Sequence, residues 1–318
     1  MYKEPIFLQP VFQERIWGGQ KLQTEFNYEI PSAQTGEAWV ISAHPNGPSI
    51  ITNGPLAGKT LADAWNEHGE LFHKSKDNDE EYPLLVKILD ANDDLSVQVH
   101  PNDTYAREVE GAPYGKTECW YVLSAEPEAE LVIGHHAKSD QELKTMVENG
   151  EWDQFLGRIK VQAGDFVYVP SGTIHAIGKG IVILETQQSS DITYRVYDYD
   201  RTDAEGNKRE LHLEKAMEVT TVPHKDAVGE QSVSKVEDLT VKQLVEAEYF
   251  SVYHWELEGS ASLTLEQDFL QVSVIDGNAT ITVEDQSFEI EKGSHFILPN
   301  GVRNYQLTGK AELIVSHV

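Results

Sequence analysis

A single cysteine, Cys119, stands among the 318 residues, so no disulfide can close within the chain, and such usage fits a reducing compartment. Cations are also scarce. The chain carries 25 Lys and Arg against 53 Asp and Glu, a formal net charge of −28. A nucleic-acid binder needs a basic footprint, so that class is set aside. The same imbalance repels anions at long range, and a phosphorylated ligand would require the few cations to be gathered in one place. Long apolar runs are missing too. The most apolar short run, Ile181-Val182-Ile183-Leu184, has the length of a strand and not of a bilayer span. The opening residues, MYKEPIFLQPVFQERIWGG, lack the basic start and apolar stretch of a secretory signal. The expectation is a cytoplasmic globular protein with no membrane or nucleic-acid partner, its oligomeric state open between monomer and weak dimer.

The length favours two domains, and the pattern is mostly β with a few short helices. Short strands joined by Gly, Pro and Asn turns are expected at residues 6–12, 37–42, 131–134, 181–188 and 192–197. Helices are expected at about 60–74, capped by Thr60, at 139–148, where Ser139 and Glu142 have capping-box spacing, and at 211–219. The polar stretch 221–238 reads as a boundary, dividing the chain into 1–238 and 239–318. Beyond it the signals are all β, with strands at 269–275, 278–283, 296–298 and 302–307 separated by Asp276-Gly277, Lys292-Gly293 and Asn300-Gly301 turns. A repeat links the two parts. Gly164, Pro170, Gly172 and His175 recur as Gly293, Pro299, Gly301 and Asn304. In each copy this frame is expected to be a hairpin delivering one side chain inward. The first copy delivers a histidine; the second delivers Asn304 and is expected to be structural.

The chemistry concentrates in the first part. Leu95 to His100 alternates with a period of two, placing Ser96, Gln98 and His100 on the face opposite Leu95, Val97 and Val99. Lys116 and Glu118 share a face with Trp120 and Val122, where an unpaired carboxylate is costly to bury. With His175 after its Pro-x-Gly turn, the candidate ligand set is Gln98, His100, Glu118 and His175. Two imidazoles, a carboxylate and an amide oxygen suit Zn²⁺, with Fe²⁺ or Mn²⁺ as alternatives. His135-His136 is more simply a polar strand end, and His68 and His73 are more simply packing or surface residues. Lys87 and Arg195 sit among apolar and aromatic neighbours, Arg201 follows shortly after, and Glu185 ends an apolar run. Around a metal, this set could bind a phosphorylated, hydroxyl-rich anion.

The chain resembles the type I mannose-6-phosphate isomerases in their short bacterial form. The likeness is carried by Arg15-Ile16-Trp17-Gly18-Gly19, Gly36-Glu37-Ala38-Trp39, Gln98-Val99-His100-Pro101, Gly115-Lys116-Thr117-Glu118, Pro170 to His175, and Glu185 to Arg201. The resemblance implies a cupin architecture: two jelly-roll β-sandwich or barrel domains, a catalytic one at 1–238 and a degenerate one without metal at 239–318. It implies one zinc per chain on Gln98, His100, Glu118 and His175, and interconversion of mannose 6-phosphate and fructose 6-phosphate through a cis-enediol. Arg195 takes the family's catalytic arginine position. Glu185 is the candidate proton shuttle with Lys116 as rival, and Arg195, Arg201 and Lys87 are the candidate phosphate ligands. Two departures from the larger relatives are the missing helical insertion and an arginine, Arg201, at a position that is lysine there. Two readings of other classes are an iron-dependent cupin dioxygenase and a non-catalytic sugar-phosphate-binding cupin.

Overall fold

The computed structural model describes residues 2–75, 79–203, 205–227, 229 and 231–318. The chain is mostly β, and its strands form three sheets. A six-stranded sheet runs in the order Phe166–Val169, Glu118–Ala125, Ile181–Gln188, Leu84–Ala91, Thr35–Ser42 and Val11–Gly19. A five-stranded sheet is ordered Tyr194–Tyr197, Val97–Val99, His175–Ile177, Glu130–His135 and Leu156–Lys160. The two pack face to face. Leu89, Trp120, Val122 and Ile183 of the first meet Leu131 and Ile177 of the second, with Leu95 from the loop before it, in one buried cluster. All pairings in both sheets are antiparallel, which lets alternation place apolar residues inside and polar ones outside.

The third sheet has nine strands and wraps around a core of its own, from Leu239 to Val315. Its membership crosses the expected division of the chain. Ile6–Gln9 pairs with His295–Leu298, and Ile50–Ile51 pairs with Ile6–Gln9. The expected strand 6–12 is in fact two, because Pro10 has no amide to donate to a ladder. Ile6–Gln9 joins the C-terminal sheet and Val11–Gly19 the six-stranded one. Ser232–Val236 also belongs to the C-terminal sheet, within the stretch read as a boundary; Val228 and Glu230 of that stretch lie outside the described residues. A mixed cluster containing Leu8, Val86, Leu184, Phe250, Phe269 and Ile314 joins the two parts.

Three local expectations are corrected. Residues 269–275 and 278–283 form one strand, Leu270–Val283. Asp276-Gly277 continues it just past a bulge at Ile275, where the register against Asn304–His317 slips, and Gly277 takes φ +73°. The expected helix 60–74 breaks after Leu61–Glu67 at His68 and continues as the 3₁₀ turn Gly69–Phe72. Its start is as expected, with Thr60 and Asp63 forming a reciprocal capping box. The repeated frame is not a hairpin. Phe166–Val169 lies in the six-stranded sheet and His175–Ile177 in the five-stranded one, so the Pro170–Thr173 turn carries the chain across the sandwich. Gly172 is required there, at φ +82° and with a Cβ position only 2.6 Å from Thr221 Oγ1. In the second copy Asn304 is exposed and accepts from Thr264 Oγ1, so nothing is delivered inward. The other two expected helices are found as Asp140–Glu148, capped by Ser139, and Leu213–Val219, and the short helices Lys21–Phe26 and Trp152–Phe155 were not expected.

Candidate metal centre and active-site cavity

Three strands place the candidate ligands, with Gln98 inside the first of them. His100 follows Val97–Val99, Glu118 opens its strand in the facing sheet, and His175 opens the strand reached through the Gly172 turn. All three are about 1% exposed. The Nδ1 atoms of His100 and His175 lie 2.8 Å from the carbonyls of Ile192 and Thr173. A carbonyl only accepts, so both Nδ1 atoms carry the proton and both Nε2 atoms present lone pairs. Those lone pairs point at one carboxylate: His100 Nε2 is 3.5 Å from Glu118 Oε2, and His175 Nε2 is 3.3 Å from Glu118 Oε1. Burial holds His100 down to about 3 and lowers His175 as well, so neither ring supplies a second proton.

The result is a cluster of acceptors facing one another. His100 Nε2 and His175 Nε2 are buried with no hydrogen-bond partner, Glu118 Oε2 is met only by Lys116 Nζ at 3.0 Å, and the ligand atoms of the three residues lie within 4.8 Å of one another. Buried lone pairs at this spacing repel unless a cation sits between them. The residues therefore fit a metal ion, and the carbonyls behind the two rings fix their tautomers as metal-bound histidines require. Gln98 lines the adjoining cavity and stands opposite His175 in the strand register.

That cavity has a volume of about 380 Å³. Its wall carries five cations, Arg15, Lys87, Lys116, Arg195 and Arg209, against four carboxylates, Glu37, Glu118, Glu185 and Asp191. In a chain of formal charge −28 this is the local gathering of cations that an anionic ligand requires. Lys116 Nζ lies 3.0 Å from Glu118 Oε2. Burial opposes both charges, yet the pair outweighs it: Glu118 is held well below the usual carboxylate range and Lys116 is raised. Lys87 Nζ lies 3.4 Å from Glu185 Oε2, and Trp120 Nε1 donates to Glu185 Oε1 at 3.0 Å. Burial, reinforced by the Glu118 charge, raises the Glu185 pKa. Glu37 accepts from Arg15 Nε at 2.9 Å and from Trp39 Nε1 at 2.6 Å.

Eight of the nine sequence-derived site residues converge here, and Arg201 does not. Its guanidinium bonds to Asp198 and to the Asp94 carbonyl, and Arg209 takes the place on the cavity wall. Asp198 grips Arg209 through Nε at 2.8 Å and Nη2 at 2.6 Å. Arg195 donates to Ser96 Oγ at 3.3 Å and to the Glu210 carbonyl at 2.8 Å, and its pKa is lowered by burial and by Arg209. Arg15, Glu37, Asp191 and Arg209 were missed as site residues. Glu37 had a signal, a carboxylate beside Ala38 and Trp39 in a buried strand. Arg209 had none within its charged loop. His135 bonds the Thr221 carbonyl and stacks on Phe155, a packing role.

Comparison with known proteins decides the family. Residues 6–122 match the phosphomannose isomerase type I catalytic domain, and residues 240–318 match the mannose-6-phosphate isomerase cupin domain. The mannose-6-phosphate isomerase ManA of Bacillus subtilis is 52% identical over 318 residues, covering 100% of both chains. The chain belongs to the type I mannose-6-phosphate isomerase family. The mannose-6-phosphate isomerase of Streptococcus mutans is 52% identical over 99% of this chain and 98% of that protein. The crystal structure of a mannose 6-phosphate isomerase from Bacillus subtilis superposes with a TM-score of 0.97 at 50% identity, covering 99% of this chain and 100% of that one. Membership makes the chain an enzyme of this isomerase family, and the dioxygenase and non-catalytic readings lose their support. Among the described residues no helix is long and apolar enough to cross a membrane.

Proposed function

We propose that this protein interconverts D-mannose 6-phosphate and D-fructose 6-phosphate through a cis-enediol, with one zinc ion held by Gln98, His100, Glu118 and His175. The observation that carries the reading is the convergence of two buried, unpartnered imidazole nitrogens on one buried carboxylate, beside a cavity whose wall is net cationic in an acidic chain. Two neutral imidazoles, a carboxylate and an amide oxygen match the donor preference of zinc. When bound, the ion supplies a Lewis acid beside the sugar oxygens.

The chain's own residues do the rest. Glu185, its pKa raised by burial, takes the proton from one carbon of the C1–C2 pair and returns it to the other. Lys116 stands beside the metal ligand Glu118 and stabilises negative charge developing on the enediolate. Lys87 keeps Glu185 in place and contributes a cation to the wall. Arg195 and Arg209 hold the phosphate at the mouth, since guanidinium groups grip phosphate in bidentate fashion. Arg201 acts one step removed, bracing the Asp198 that orients Arg209. The single cysteine and a sugar-phosphate substrate are consistent with a cytoplasmic setting.

Conversion of mannose 6-phosphate in D₂O, followed by NMR, tests the reading. Fructose 6-phosphate carrying solvent deuterium at C1 supports an enediol with a proton-carrying group. Failure to convert the sugar overturns the function, and conversion without any deuterium together with wild-type turnover in Glu185→Gln overturns the proton route in favour of a hydride shift.

A further inference from the structure

Lys116, the cation that touches the metal cluster, is held by no strand. It lies in irregular backbone two residues before Glu118–Ala125 begins, at the end of a segment that leaves His100 through Pro101 and a helical turn. Its ammonium nevertheless sits 3.0 Å from Glu118 with the residue 6% exposed. A long, flexible side chain stays in one place only if its backbone is fixed.

Three consecutive amides fix it. The Gly115 amide donates to Asp103 Oδ1 at 2.8 Å, the Lys116 amide to the Pro101 carbonyl at 2.9 Å, and the Thr117 amide to Gln188 Oε1 at 2.9 Å. The two side-chain acceptors are joined, because Gln188 Nε2 donates to the same Asp103 Oδ1 at 2.9 Å. The Gln188 amide also donates to the Thr117 carbonyl at 3.0 Å, locking the far side. Gly115 leaves no slack: a Cβ there would lie 2.5 Å from the Pro101 carbonyl oxygen. Neither Asp103 nor Gln188 lines the cavity. The remaining Asp103 oxygen accepts from Arg107, whose side chain is 59% exposed.

We propose that Asp103, with Gln188, is a positioning residue for the isomerase reaction: a bracket that holds the Lys116 backbone so that its ammonium meets the reacting sugar. This rests on the proposed role of Lys116. The Arg107 pair is at the surface and contributes little. The Oδ1 bonds are what matter, and an Asn at 103 retains an acceptor there.

The test is steady-state kinetics on the metal-loaded protein for Asp103→Ala, Asp103→Asn, Lys116→Met and the double variant Asp103→Ala/Lys116→Met. Misplacing a reacting group by about 1 Å can cost on the order of 100-fold, so Asp103→Ala should lower kcat by about 10- to 100-fold. KM should stay within about threefold and metal content should stay full, as expected when only an interaction in the transition state is lost. Asp103→Asn should restore most of the turnover. The double variant should be no slower than Lys116→Met, because the bracket has nothing left to position. Gln188→Ala, which removes the Thr117 anchor, should reproduce the kcat-selective loss, so the outcome does not hang on one variant folding. Wild-type turnover in Asp103→Ala, loss of metal in it, or additive losses in the double variant would each overturn the inference alone. A Lys116→Met variant with wild-type turnover would instead overturn the role of Lys116, and the bracket's role with it.

Discussion

Replacing Glu185 with Gln isolates the proton-transfer step. The residue is 3% exposed, accepts from Trp120 Nε1 at 3.0 Å and lies 3.4 Å from Lys87 Nζ. Gln has nearly the same shape and keeps an oxygen for the indole, so the change is confined to one charge and one exchangeable proton. A positioned acid–base group contributes about 10²- to 10⁴-fold, so kcat should fall at least about 100-fold with KM and metal content little changed. Stability should respond less. Stranding one partner of a buried ion pair costs about 3–5 kcal/mol. Lys87 is not stranded, because it remains in Coulombic reach of Glu37 and 5.1 Å from the Trp39 ring centroid. The loss should therefore be about 3 kcal/mol or less. The pH profile gives a second readout. Burial and Glu118 raise the Glu185 pKa, so the ionised base accumulates only above the ordinary Glu range, and activity falls as pH drops through that raised value. The acid limb of kcat/KM should vanish in Glu185→Gln. A coupled assay for fructose 6-phosphate across the pH range measures both effects. A variant with turnover within about threefold of wild type, or with the acid limb in place, would refute the assignment and leave Lys116 as the shuttle.

Arg209→Ala should raise KM for the sugar phosphate by about 10- to 100-fold, the value of a charge-assisted hydrogen bond of about 1.5–3 kcal/mol, with a smaller change in kcat. An unchanged KM would place the phosphate elsewhere. His295 offers a test of the C-terminal core. It is 1% exposed, shares hydrogen bonds with Tyr28 and Ser273, and burial holds it down to about 3. As pH falls below the ordinary His value, the unfolded chain takes up a proton that the folded ring refuses, so stability is lost at about 1.4 kcal/mol per pH unit. His295→Gln should flatten the loss between pH 6.5 and pH 5 by about 2 kcal/mol, read as urea midpoints at the two pH values. An equal slope in the variant would mean that the ring is charged in the folded protein.

The candidate metal ligands were legible because a strand makes an anomaly visible locally. With a period of two, a His or Glu on a face shared with Trp and Val declares itself within a few residues, and Lys87 and Glu185 stand out in apolar runs for the same reason. Residues brought to the cavity by pairings between distant strands, or by loops, carry no such local mark. Arg201 and Arg209 occupy similar charged sequence and both bond Asp198, but Arg201 is also held by the Asp94 carbonyl, remote in sequence, and Arg209 lines the cavity. Asp276-Gly277 is ambiguous because a turn and a bulge both accept a positive φ at Gly. Pairing with the uninterrupted Asn304–His317 keeps both residues in one strand, beside the bulge at Ile275. The break at His68 was hidden because a 3₁₀ turn keeps the apolar residues Leu71 and Phe72 near the helical phase. The second Gly-Pro-Gly frame copies a sequence whose meaning depends on there being a facing sheet to cross to.

The central claim is that His100, Glu118 and His175 hold the ion on which isomerisation depends. Stripping the protein with a chelator and titrating zinc back, while measuring bound metal and mannose 6-phosphate turnover together, tests it most directly. Turnover should rise in proportion to bound zinc and level off at one ion per chain, and His100→Ala should neither retain zinc nor recover turnover. Full turnover in metal-free protein, or in metal-free His100→Ala, would contradict the account.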